Sequence, residues 1–98
     1  MRIKGVEYKL YWSLGGCFVY EEIAGEPFQA GRTVSMYMLL YAFLIYCNRK
    51  QETKFNMEFD EFVDACSEDP SIFQQFIDMM NEHGRLESIT GDEDKKKA

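Results

Sequence analysis

The sequence predicts a mainly helical α+β domain, with a short N-terminal β-hairpin or strand followed by about four helices packed as a small helical domain over residues 1–90. Residues 91–98 are expected to form a disordered charged tail. Three observations carry this. Apolar residues alternate over the first dozen positions, they recur at helical spacing in two later stretches, and helix start and stop residues flank each helical stretch.

From Val6 to Trp12 the residues Val6, Tyr8, Leu10 and Trp12 fall on one face, and Glu7, Lys9 and Tyr11 on the other. That is the pattern of a half-buried strand. A turn at Lys4-Gly5 would fold Ile3 back on Val6 as a hairpin, which is marginal until a helix or another subunit covers it. Ser13 is placed to cap a first helix through Leu14, Cys17, Phe18 and Tyr20 to Ile23, and Gly25 just past its end is a C-terminal signal. Gly15 and Gly16 weaken the first turn by about 1 kcal/mol each relative to alanine, so either the helix begins after them or backbone approaches closely there. Pro27 and Gly31 mark a loop, with Phe28 as its anchor on the core.

Thr33 is the expected N-cap of a second helix, Val34 to about Lys50, which is apolar on every face. It reads as a central core helix with tyrosines reaching the surface, or as a core helix with one face also an interface, since Met and Tyr are enriched where proteins meet. Met36, Tyr37, Tyr41 and Leu44 are the candidate contact residues on it. As a helix, Val34–Cys47 spans roughly 21 Å against a bilayer core of about 30 Å, too short to cross. It also lacks the basic polar face that membrane-surface binding uses.

Lys54 to Met57 is compatible with an extended link. Phe59, Phe62, Val63 and Cys66 then form one stripe of a third helix, with Asp60, Glu61 and Asp64 facing water. Asp69 is the expected cap of a fourth helix, with Pro70 at its first position, where a missing N–H costs nothing. Its stripe is Ile72, Phe73, Phe76, Ile77, Met79 and Met80, and it is expected to stop at His83-Gly84. Met79 and Met80 are further candidate contact residues.

Charge and composition narrow the function. The net charge is −6, and it is uneven: Met1–Met57 holds seven basic and five acidic residues, whereas Glu58–Asp94 holds twelve acidic residues and Arg85 alone as a cation. A surface of that sign repels phosphate backbones, so nucleic acid is not an expected partner, and a basic protein is the natural complement. Cys17, Cys47 and Cys66 have no Cys-x-x-Cys spacing, and His83 is the lone histidine, so the thiols read as reduced core residues. Glu58-Phe59-Asp60-Glu61-Phe62 is similar to the exiting helix of a calcium-binding EF-hand, but residues 49–54 lack the spaced oxygen ligands and glycine of the loop. The pairs Glu21-Glu22 and Asp60-Glu61 point about 100° apart on a helix and cannot share an acid/base site. No catalytic residue, metal or cofactor is expected. The N-terminus shows no secretory apolar region, so the expected location is cytoplasmic. A domain of this length buries only about 60 to 65% of its unfolded surface, and this thin core points to self-association.

The order of features resembles one family. A start of the type Ile-x-Gly-x-x-Tyr-x-Leu leads to Tyr20-Glu21-Glu22-Ile23-Ala24-Gly25-Glu26-Pro27-Phe28, then a bulky apolar helix, then Met57-Glu58-Phe59-Asp60-Glu61-Phe62-Val63-Asp64-Ala65 and Asp69-Pro70-Ser71-Ile72-Phe73. Over about residues 3 to 80 this is similar to the tail assembly chaperones of long-tailed bacteriophages and prophages. Glu26 stands where that family often has lysine, and Gly15-Gly16 is unusual within its first helix. The resemblance implies a non-catalytic protein of the bacterial host cell cytoplasm that coats the tape-measure protein and helps recruit tail-tube protein. It also implies motif positions at Gly25, Pro27, Phe28, Phe59, Phe62, Asp69 and Pro70. The other reading of the same features is a small bacterial adaptor that binds one globular partner.

Overall fold

The computed structural model describes residues 1–29, 31–51 and 54–82. Among them, the chain runs through strands β1 (Arg2–Ile3) and β2 (Val6–Glu7), then helices α1 (Leu14–Ala24), α2 (Thr33–Cys47), α3 (Phe59–Glu68) and α4 (Ser71–Glu82). The expected helix stop at His83-Gly84, the domain end at residue 90 and the tail lie outside the described residues.

The two strands pair antiparallel in the register Arg2↔Glu7 and Ile3↔Val6. Lys4 and Gly5 between them have φ of 52° and 83°, the positive values that both central residues of a type I′ turn require. The hairpin is shorter than the alternation suggests. The Tyr8 N–H still reaches the Met1 carbonyl at 2.7 Å, but the next residue turns elsewhere: the Lys9 N–H donates to Asn48 Oδ1 at 2.9 Å, and Asn48 Nδ2 donates to the Lys9 carbonyl at 3.0 Å. Residues 8–13 therefore continue extended, outside any sheet, with one side-chain amide bonding them as a neighbouring strand would. Their alternation survives. Tyr8 is buried, Leu10 and Trp12 are half-buried, and Lys9 and Tyr11 are exposed. Val6 is the exception, exposed where it was expected inside, because Ile3 takes the buried place in the hairpin.

Helix α1 has the predicted ends. Ser13 is extended and its Oγ accepts the Gly15 N–H at 3.1 Å, and Gly25 closes the helix at φ 75° with its N–H on the Glu21 carbonyl. The two glycines lie inside the helix, where they let it approach α2 closely. A Cβ on Gly16 would sit 2.5 Å from the Phe43 ring, and one on Gly15 would run into the Tyr46 ring. This choice of inward face reverses part of the expectation for α1. Tyr20 is buried, while Leu14, Phe18 and Ile23 point outward.

Helix α2 is the centre of the fold, and α1, α3 and α4 all pack against it. Thr33 is its first residue and not its cap: the N-cap is Arg32, which makes no side-chain bond to the helix. The helix ends at Cys47, three residues before the expected end. Asn48 leaves the helix and turns its buried amide back, donating to the Leu44 carbonyl at 2.8 Å as well as holding Lys9. Arg49 then serves the negative end of the helix, donating to the Tyr46 carbonyl at 2.7 Å with its guanidinium 3.7 Å over the Tyr46 ring.

Past this point Phe55, in the extended link, is buried edge-on against Tyr8, Tyr41 and Phe62. On α3 the residues Phe62, Ala65 and Cys66 are buried, Phe59 is half-buried and Val63 is exposed. Asp69 caps α4 as expected, its Oδ1 accepting from the Ser71 N–H at 3.1 Å and the Ser71 hydroxyl at 2.6 Å. Pro70 falls one residue before the helix proper. The α4 stripe faces inward through Ile72, Phe76, Met79 and Met80.

The glycine contact yields a direct test. In an exposed helix Gly→Ala stabilises by about 1 kcal/mol, but here the added methyl meets a wholly buried ring, so Gly16→Ala is expected to destabilise by about 1–3 kcal/mol. Gly15→Ala should do so less, since the half-exposed Tyr46 ring can swing aside. Urea unfolding of both variants checks this. A Gly16→Ala protein more stable than the parent would contradict the packing.

Candidate protein-binding surface

The structure places the six candidate contact residues differently from one another. Leu44 and Met80 are wholly buried and Met79 nearly so, which corrects the expectation that they offer surface to a partner. The reason is geometric. On a helix apolar all round, spacing cannot tell the face that meets α1 from the face that meets solvent, and on α4 the methionines belong to the one stripe that faces the core. Met36, Tyr37 and Tyr41 are half-buried. The Tyr41 ring lies among Phe55, Phe59 and Phe62, and its hydroxyl donates to the Met57 carbonyl. Burial, with Glu58 nearby, pushes its pKa above the usual phenol value. Tyr37 stacks on Phe73 with ring centres 4.3 Å apart.

Of the motif positions, Phe28 anchors its loop as expected, its ring edge-on to Tyr20 at 5.6 Å. With Cys17, Glu21, Pro27 and Leu39 these two rings line a small cleft of about 240 Å³. Phe59 and Phe62 lie in the aromatic cluster around Tyr41, and Gly25, Asp69 and Pro70 shape helix ends.

Two apolar surfaces are open among the described residues, and of the residues that form them only Tyr37 reads in the sequence as a candidate contact. The first is a ridge on α1, where Leu14 and Phe18 are 56% and 65% exposed at i and i+4, with Glu21 and Glu22 beside them. The second is a groove of about 430 Å³ between the start of α2 and α3. Thr33, Val34 and Tyr37 form one wall and Phe59, Val63, Cys66 and Ser67 the other. Val34 and Val63 are 44% and 36% exposed. Tyr37 and Phe59, predicted for different reasons, are brought together here. Val63 could have been found from its wheel position: among Phe59, Phe62, Val63 and Cys66 it lies farthest from the Phe62–Cys66 side and next to Asp60 and Asp64.

No group of three or more His, Cys, Asp or Glu among the described residues could hold a metal ion. Nor is any helix among them long and apolar enough to cross a membrane. The three cysteines are unpaired, Cys47 and Cys66 buried and Cys17 half-buried at the cleft beside Phe28. Burial raises all three thiol pKa values; the charge of Glu21 adds to the rise at Cys17, and Asp69 helps push Cys66 up to about 11. Cys47 Sγ donates to the Tyr11 carbonyl at 3.3 Å. Comparison of the chain with protein-family profiles, curated proteins and solved structures finds no match.

The thiols make the burial pattern measurable. With iodoacetamide under native conditions, Cys17 should alkylate first and Cys47 only on unfolding. The rate at Cys66 should keep rising with pH toward about 11, where an ordinary thiol levels off near 9.0. The folded state holds the Cys66 proton more tightly than the unfolded chain does. Its contribution to stability is therefore complete below pH 9.0 and is lost as pH rises toward about 11. Peptide mapping after timed alkylation follows each site, and a Cys66 rate that levels off near pH 9.0 would contradict this burial.

Proposed function

We propose that this protein is a non-catalytic chaperone of phage tail assembly, acting in the cytoplasm of the bacterial host. It binds the tape-measure protein, helps recruit tail-tube subunits, and associates with itself. The observation that carries the reading is the conjunction of the ordered motifs at 20–28, 57–65 and 69–73 with apolar surface left open on α1 and between α2 and α3. A chaperone for a long client needs such surface, since amphipathic segments dock through apolar stripes into grooves. It must also stay dissolved while carrying that surface. The eight carboxylates between Glu58 and Glu82, with no cation among them, supply the charge that does this. The same negative field disfavours nucleic acid as a partner.

Co-expression with a long tape-measure open reading frame tests the function. The long product is expected to be soluble only when this protein is present, and the two should elute together. A long product indifferent to its presence would overturn the reading in favour of an adaptor for one globular partner, to be found by pull-down.

A further inference from the structure

We infer that the groove between α2 and α3 is the seat of a basic amphipathic helix, whose apolar stripe enters between Val34 and Val63 and whose Lys or Arg side chains meet the acidic rim of α3. The inference rests on the protein-binding reading and gives it a site and a partner chemistry. From Phe59 to Ser67 the α3 wall is ~12 Å long, about two helical turns, so a helix laid along it places residues at i, i+3 or i+4 and i+7 against the groove. The walls supply apolar contact from Val34, Tyr37, Phe59 and Val63. One step further round α3 stand Asp60 and Asp64, both exposed and neither with a cationic partner among the described residues. On the same helix Glu61 already reaches Lys4 at 3.6 Å, a cation meeting α3 from outside it.

Charge also selects among occupants. A second copy of this chain could offer its α1 ridge, but Leu14 and Phe18 carry Glu21 and Glu22 beside them, and seating them in the groove would bring those carboxylates toward Asp60 and Asp64. Like charges so placed weaken an interface. A segment with the same apolar stripe and basic flanks has no such conflict.

The test uses two labelled synthetic helices with one leucine stripe, the first with lysines on its flanks and the second with glutamates in their place, titrated by fluorescence anisotropy against the full chain. The lysine peptide should bind saturably and the glutamate peptide at least about tenfold more weakly. Val34→Gln with Val63→Gln, at two exposed positions that leave the core intact, should weaken the lysine peptide about tenfold. Asp60→Asn with Asp64→Asn should weaken it and flatten its salt dependence. On the far helix, Gln74→Ala with Asp78→Asn should change little. Unaltered melting curves confirm that each variant is folded. Equal binding of both peptides overturns the inference, as does lysine-peptide binding that ignores the two valines or falls equally with the α4 change. Binding to the α1 ridge, seen as loss on Phe18→Gln with the groove variants neutral, overturns it as well. If the peptide binds as expected while the long tape-measure product is indifferent, the groove stands and the chaperone reading falls. If that product is held soluble equally by the groove variants, the reading stands and the groove assignment falls.

Discussion

Helix α2 imposes the constraint from which the rest of the arrangement follows. Its fifteen residues include no charge and present apolar side chains in every direction, so any face left open exposes surface that water disfavours. Leu39, Leu40, Phe43 and Leu44 are wholly buried on it, and each such side chain contributes about 1.5–3 kcal/mol relative to exposure. Three short helices and an extended segment share the work of covering it. Each solves a separate contact problem. On one side the Gly15-Gly16 backbone lies flat against the Tyr46 and Phe43 rings, a fit that any Cβ would spoil. On another, the α4 stripe brings Phe76 within 5.9 Å of the Phe43 ring centre, and at the C-terminal end Asn48 ties residues 8–13 down where no strand is available to pair with them. That amide is buried, and its three hydrogen bonds satisfy it.

Coverage is incomplete at the other end of α2, and the position of the gap connects packing to binding. There α3 meets α2 through Tyr41, whose ring packs on Phe59 and Phe62, and a groove stays open beside Val34 and Tyr37. Across the groove the chain changes electrostatic character. Seven of the eleven basic residues precede Met57, while the wall built by α3 belongs to the acidic half. An apolar slot beside a carboxylate rim favours one sign of partner, and that discrimination comes from where the charges stand more than from the slot itself.

Much of the fold is legible in the residues because its boundaries are set by local chemistry. Ser13, Gly25, the Lys4-Gly5 turn and Asp69 each act through their own backbone neighbourhood, and that information lies within four residues in the chain. Orientation is different. The exposure of Leu14 and Phe18 follows from a rule the pattern hides: α1 turns its glycines inward, so the apolar residues on the far side must face water. Asn48 ends α2 early through a bond to Lys9, far away in sequence, and Phe55 is buried by rings from three other segments. The groove was half legible, in Tyr37 and Phe59, whereas Leu44, Met79 and Met80 were misread as surface because composition typical of interfaces is also composition typical of cores. Val34 and Val63 are hidden for the converse reason, since a valine in an apolar stripe reads as core until its neighbours are placed.

The most direct measurement of this account is amide hydrogen exchange along the chain, because it reads which element the others protect. The amides of Leu39 to Leu44 should exchange slowest of all and only through global unfolding, with α1 and α3 opening at lower free energy around them. Exchange in α2 as fast as in α1 or α3 would contradict the central claim, and would mean that the fold is not organised around that helix.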